Sequence, residues 1–177
     1  MHVRAKSIAF GGLLLALSVV CMALGSVIET NTLFLLAAAS YFVGIIIREF
    51  GMRTGAAFYL ADVLLGFLVT SNKFYVISFA AMGFYILAVE AVWRLLERRP
   101  QMGKRHAVFW VSKYVIFNVM YLPLLWIFRE MLFAQAIPDA ALLGVAFTGQ
   151  IALWIYDRAY EYVQGHIWNK MRGRLLR

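Results

Sequence analysis

The sequence predicts an all-α integral membrane protein: a bundle of six transmembrane helices followed by a short amphipathic C-terminal helix. Of its 177 residues, 63% are hydrophobic and only 15% are charged, whereas soluble domains average about 25% charged residues. The apolar residues also form long uncharged runs, from Ser7 to Ile28 and from Thr30 to Ile47. Runs of about 18 or more such residues are long enough to cross a bilayer.

The chain divides into a membrane domain, residues 1–162, and a basic amphipathic tail, residues 163–177. The six spans are predicted at residues 6–28, 31–47, 54–70, 74–96, 106–132 and 140–162. Thr30 or Asn31 is a suitable N-cap for the second helix, and Asp139 is one for the sixth.

The tail repeats apolar residues every four positions, at Val163, Ile167, Met171 and Leu175. This spacing predicts a helix that rests on the inner leaflet, because its basic residues lie mostly on other faces. The alternative is an unstructured basic end.

The distribution of basic residues predicts the orientation of the bundle. If the N-terminus is cytoplasmic, all but three of the 17 Lys and Arg residues lie in inner segments. The exceptions are Lys73 and Arg129 in outer loops and Lys113 within the fifth span. Since cytoplasmic loops carry the excess of Lys and Arg, we expect a multi-pass cell-membrane protein with both termini inside. The net charge of +8 is then a topology signal, and no nucleic-acid partner is expected.

Catalytic and cofactor motifs are absent from the sequence. His2, His106 and His166 share no metal-ligand spacing, and Cys21 is the single cysteine. There is no phosphate-cradling glycine loop and no Ser, His and acid set. We therefore expect no metal, no cofactor, no catalytic residue and no ATP binding by this chain.

Three charged residues of the spans are predicted to be buried, where they are costly unless paired. They are Asp62, Glu90 and Lys113, in the third, fourth and fifth spans. Counting about 1.5 Å of rise per residue places all three in the inner half of the bilayer. We expect one buried charge cluster, which serves either as a structural ion pair or as a proton or ion relay.

Polar and aromatic residues of the outer half suggest a substrate-binding cavity that opens outward. Aromatic walls with a few hydrogen-bonding groups are the usual composition of a small-molecule site. The alternative is that the loop residues face water and the midplane amides bridge helices. The candidate residues are Asn31, Asn72, Tyr75, Asn118, Tyr121 and Gln150.

The first span carries small residues on one helical face, at Ala5, Ala9, Gly12 and Ala16. Such a face allows another helix to approach closely. It could dock a partner subunit, or it could pack inside this protein's own bundle.

These features together resemble a known family. The segments Ala5-Lys-Ser-Ile-Ala9 and Gly12-Leu-Leu-Leu-Ala16 look like the small-residue motif on the first span of the substrate-capture subunits (S components) of energy-coupling factor (ECF) transporters. The stretch from Ala37 to Ala91 is similar in its order of features: a small-rich span, a glycine-bounded inner turn, an acid in the third span and a glycine in the fourth. The likeness covers the first half of the chain.

The resemblance implies a six-span subunit that binds a vitamin or other small micronutrient from outside. It implies that transport is driven by a coupling transmembrane subunit and two ABC-type ATPases, so that this chain is not itself an enzyme. Two other classes stay open, a non-transport membrane scaffold of the kind used in morphogenesis and a small membrane enzyme. An outward cavity at the candidate residues would favour transport. A closed bundle would favour the scaffold, and an inward cavity at Asp62 and Lys113 would favour the enzyme.

Overall fold

The computed structural model describes residues 2–98, 104–127 and 139–175, and within these ranges it contains helices and no strand. Six long helices are followed by a short one. The elements are α1 (His2–Val27), a 3₁₀ turn (Glu29–Asn31), α2 (Thr32–Phe50), α3 (Met52–Val69), α4 (Lys73–Glu97), α5 (Arg105–Ile127), α6 (Asp139–Tyr162), a π-helical turn (Val163–Trp168) and α7 (Asn169–Leu175).

Five of these helices, α1 to α5, are long and apolar enough to cross a membrane. The all-helical class and the multi-pass membrane character are therefore as predicted. Helix bounds follow the predicted spans closely, because bilayer thickness fixes the length of an apolar helix.

Helix α2 lies at the centre of the first region, which comprises α1 to α4. It packs against α1, α3 and α4 and buries a continuous apolar segment from Val43 to Ile47. Helix α1 contributes Phe10, Leu14 and Met22 to the same core. These three residues recur every four or eight positions, so they share one face of α1.

The inner turn between α2 and α3 consists of one residue, Gly51. Its φ of 93° lies in the left-handed region, which glycine adopts without a Cβ clash. The Gly51 N–H donates to the Ile47 carbonyl at 3.0 Å and closes the end of α2. The predicted glycine at this turn is thus required by backbone geometry.

Helix α6 reaches the first region through aromatic side chains. A second core joins Tyr41 of α2 and Tyr85 of α4 to Leu153 and Tyr160 of α6. Gly44 of α2 makes this approach possible, because a Cβ there would lie 2.1 Å from the Tyr160 hydroxyl oxygen.

The C-terminal segment differs from the prediction in one respect. It continues from α6 without a break, and the face it buries contains Gln164 and Trp168. The Trp168 indole N–H donates to Glu49 Oε1 at 2.9 Å, and its ring lies 5.3 Å from that of Phe10. Of the predicted apolar stripe, Val163 packs against the second core, whereas Ile167 and Met171 are exposed. The Leu175 side chain lies outside the described part of the chain.

The predicted cap of α2 by Asn31 is not seen. Asn31 precedes α2, but its side chain makes no capping hydrogen bond. The Thr32 hydroxyl instead donates to the Gly25 carbonyl at 2.7 Å, tying α2 to the end of α1. The side chain of Asp139 lies outside the described residues.

Candidate functional site

The first part of the site is an ion pair between Arg48, in the last turn of α2, and Glu90 of α4. The Arg48 Nε and a terminal guanidinium nitrogen lie 2.7 and 2.6 Å from Glu90 Oε1. The Tyr160 hydroxyl donates to the same oxygen at 2.7 Å. Two N–H groups of one guanidinium and a phenol therefore stabilise a carboxylate whose side chain is only 5% exposed.

The second part is centred on Lys113 of α5. Its ammonium group lies 2.8 Å from Asp157 Oδ2 and 2.8 Å from Glu161 Oε1, both on α6. These acids are four residues apart, so they share one face of the helix and can meet a single lysine. The Tyr85 hydroxyl donates to the other Asp157 oxygen at 3.3 Å. The lysine is thus buried with two counter-charges.

A layer of hydroxyl groups continues the network toward the middle of the bundle. The Tyr156 and Ser40 hydroxyl oxygens lie 2.7 Å apart, and Tyr156 donates to the Met82 carbonyl at 3.2 Å. The Tyr41 hydroxyl donates to the Tyr156 carbonyl at 2.9 Å. Helix α6 is therefore held to α2 and α4 by polar contacts at several heights.

A cavity of about 510 Å³ adjoins both ion pairs. It lies among the last turns of α4, the first turns of α5 and the last turns of α6, which is the end where the basic segments lie. Its walls combine charged and aromatic side chains: Arg48, Val89, Glu90, Trp93, Arg94, Glu97, His106, Phe109, Trp110, Lys113, Tyr160 and Glu161.

The predicted single cluster of Asp62, Glu90 and Lys113 is wrong. Glu90 and Lys113 line the same cavity, but each pairs with a different partner. Asp62 faces α1, where its Oδ2 lies 2.5 Å from the Ser18 hydroxyl and its Oδ1 has no hydrogen-bond partner among the described residues. The reason is the arrangement of the helices. Asp62 of α3 faces α1, whereas Lys113 of α5 faces α6.

The predicted midplane amides bond to each other. Asn118 Nδ2 donates to Gln150 Oε1 at 3.2 Å, and Gln150 Nε2 donates to Asn118 Oδ1 at 2.9 Å. The Tyr121 hydroxyl donates to the Val145 carbonyl at 3.0 Å. This arrangement matches the alternative interpretation, in which these groups bridge α5 and α6.

The other outer candidates lie at two helix starts, Asn31 before α2 and Asn72 with Tyr75 at the start of α4. Asn31 is exposed beside the start of α2. Asn72 caps α4 by accepting a hydrogen bond from the Phe74 N–H at 3.0 Å. Tyr75 is half-buried against the core of the first region. No hydrogen bond between described residues joins these three to the Asn118–Gln150 pair.

The small residues of α1 point away from the bundle. Ala9, Gly12 and Ala16 are exposed, while Phe10 and Leu14 are buried. A Cβ added at Gly12 would meet no atom within 4 Å. The side chain of the fourth candidate, at position 5, lies outside the described part. The described small residues therefore do not pack inside this protein.

Four functional residues were missed from the sequence: Arg48, Asp157, Tyr160 and Glu161. A signal was available, because α6 carries Tyr156, Asp157, Tyr160 and Glu161 at positions three and four apart. This spacing forms one polar and aromatic stripe at the inner end of an otherwise apolar helix.

Comparison of the chain with protein-family models, with curated proteins and with solved structures finds no match. The chemistry of the site follows from its own groups. The described lining includes no Ser, Thr or Cys, and Glu90 and Glu161 are already paired with cations. Its charged and aromatic groups can bind a polar ligand.

Proposed function

We propose that this chain is the membrane-embedded substrate-binding subunit of an ECF-type importer for a vitamin or another small micronutrient. It would act with a coupling transmembrane subunit and two ABC-type ATPases. The outward position of Ala9, Gly12 and Ala16 is the main support. Because lipid provides no hydrophobic drive between helices, association depends on close backbone approach, and small residues permit it.

The proposal includes six spans, with α6 as the sixth. Its 24 residues correspond to about 36 Å at about 1.5 Å per residue, which exceeds the hydrocarbon thickness of about 30 Å. Leu143 and Phe147 of α6 are strongly exposed, as lipid-facing side chains would be. Both termini are then cytoplasmic in the cell membrane, and Ile167 and Met171 contact the inner leaflet.

We propose a solute site at the outer helix ends, around Asn31, Asn72, Tyr75 and Tyr121, although the cavity described above lies at the opposite end. Asn118 and Gln150 lie deeper and satisfy each other. A solute that bound them would have to replace these hydrogen bonds with its own, since unmade buried bonds cost about 1–3 kcal/mol each.

A membrane scaffold is the second candidate. The reciprocal Asn118–Gln150 pair favours it, because these bonds close the contact between α5 and α6. A scaffold would use the same α1 face to hold its partner but would need no solute.

The test combines binding and uptake. The purified chain in lipid nanodiscs is screened by thermal shift against water-soluble vitamins, and uptake of any vitamin that binds is then measured in cells. Ala16→Trp should retain fold and binding but abolish uptake, because the indole holds the partner helix away. Leu64→Trp is the matched control, since Leu64 is 66% exposed on α3.

Three outcomes would count against the importer. If Ala16→Trp unfolds the isolated chain, the small face is internal packing. If uptake survives in Ala16→Trp, the partner docks elsewhere. If no vitamin binds while Ala16→Trp still blocks co-purification of a membrane partner, the scaffold is the better account.

A further inference from the structure

If both termini are cytoplasmic, as proposed above, the cavity lies near the headgroups of the inner leaflet. The cytoplasmic ends of α4 and α5 form it, and Trp93 and Trp110 line it. Tryptophan rings are enriched at this interface because they combine an apolar body with a polar N–H group. Trp110 is also 36% exposed, and its neighbour Val111 is 63% exposed. The cavity wall is therefore continuous with the surface that faces lipid.

The ion pairs leave unpaired positive charge on one side of the cavity. Glu90 and Glu161 accept hydrogen bonds from cations. A guanidinium N–H of Arg94 donates a hydrogen bond to the Ile47 carbonyl at 2.5 Å, and among the described residues no acid pairs with Arg94. Glu97 is the remaining acid of the lining, on the exposed rim.

The rim next to Arg94 is basic. Arg98 follows the lining residue Glu97, and Lys104 and Arg105 precede the lining residue His106; all three are exposed, and no ion pair between described residues includes them. Their three positive charges exceed the single charge of Glu97. The cavity mouth therefore attracts anions, and it lies on the side of the membrane whose surface is anionic.

Helix α5 adds a backbone contribution. It begins at Arg105, and the first turn carries His106 and Phe109 into the cavity lining. The first hydrogen bond of this end runs from the Val108 N–H to the Lys104 carbonyl. The N–H groups before it have no intrahelical acceptor, and they give the helix end a partial positive charge suited to a phosphate.

We propose that this cavity binds the headgroup of an anionic phospholipid from the inner leaflet. The phosphate lies between Arg94 and the first turn of α5, and the acyl chains run along Trp110 and Val111. A volume of about 510 Å³ accommodates a headgroup but not its chains. The site rests on the proposed orientation, with both termini cytoplasmic, but not on transport, because no residue of the α1 face takes part.

Lipid titration of the full chain in detergent, monitored by native mass spectrometry, tests the proposal. Phosphatidylglycerol should bind more tightly than phosphatidylcholine. Each cation removed should weaken it about five-fold, since a basic residue near a membrane anion contributes about that factor. The variants are Arg94→Gln in the cavity and the rim double variant Lys104→Gln/Arg105→Gln, in which folding is not at risk. Arg53→Gln is the control, an exposed arginine at the inner start of α3.

Loss of phosphatidylglycerol binding in both test proteins, with Arg53→Gln unchanged, supports the site. Equal binding in all proteins overturns it, and so does an equal loss in Arg53→Gln, which would indicate a diffuse surface charge. A third arm adds glycerol 3-phosphate. If this soluble phosphate displaces the lipid at similar concentrations, the ligand is a soluble phosphate and the lipid assignment is wrong.

Discussion

Helices α1 to α4 and helices α5 and α6 are held in place by different forces. In the first region, half of the residues in the most apolar stretch of α2 are buried. In the most apolar stretch of α5, only 11% are buried. The first region packs through close apolar contacts around α2. The second is attached to the first through its aromatic core and tyrosine hydroxyls. The ion pairs of Lys113 join α5 to α6 within the second region.

This difference explains where each region can bind something. The first region buries its own apolar faces and leaves the small-residue face of α1 free for another helix. In the second region, charged and aromatic side chains of α4, α5 and α6 line a cavity at the end where the basic segments lie. Charged residues inside a membrane are energetically costly, so a buried cluster of them is a candidate functional site.

The largest effect should come from Lys113→Met. Removal of the ammonium group leaves Asp157 buried at 4% side-chain exposure without its cation. Breaking a buried pair on one side costs about 3–5 kcal/mol. We expect a loss of this size in the unfolding free energy of the detergent-solubilised chain, measured by denaturant titration.

Double variants show which acid is the partner. Asp157→Asn should recover part of the loss when combined with Lys113→Met, because it removes the stranded charge. Glu90→Gln in the same background should recover nothing.

Asp62→Asn is a matched control for removal of a buried carboxyl group. It should cost less than about 1 kcal/mol, because Asp62 has no cation beside it and the amide oxygen can still accept from Ser18. Recovery by Glu90→Gln would contradict the pairing.

A smaller effect should separate two glycines. Gly44→Ala introduces a methyl group against Tyr160, and overpacking of this kind costs about 1–3 kcal/mol. Gly12→Ala meets no atom within 4 Å and should change the stability of the isolated chain by less than about 0.5 kcal/mol. Thermal unfolding of both variants measures the difference. Equal losses of stability would contradict the difference between a tightly packed Gly44 and an open Gly12.

The sequence predicted the helices well and the pairing of charges poorly, for a physical reason. Apolar runs fix where a helix begins and ends, because the bilayer sets its length. Depth arithmetic placed Glu90 and Lys113 near the inner end, where both line the cavity. It could not show which way each helix is rotated or which helices are neighbours, and so it grouped Asp62 with a lysine that it does not contact.

The outer candidates illustrate the same limit. Asn118 and Gln150 were correctly placed at one depth, but depth does not distinguish amides that bind a solute from amides that bind each other. Asp157 and Glu161 were overlooked because they lie near the end of α6, where charged residues usually face water. Their spacing with Tyr160 was the detectable sign that this end is buried.

Site-specific photo-crosslinking in native membranes tests most directly whether α1 is a docking helix. A photoreactive residue replaces Ala16 in one protein and Leu143 in another, since Leu143 is 73% exposed on α6. Position 16 should form a discrete adduct with a second multi-span membrane protein, and position 143 should label lipid alone. The absence of a protein adduct at position 16, or the same adduct at both positions, would contradict the account.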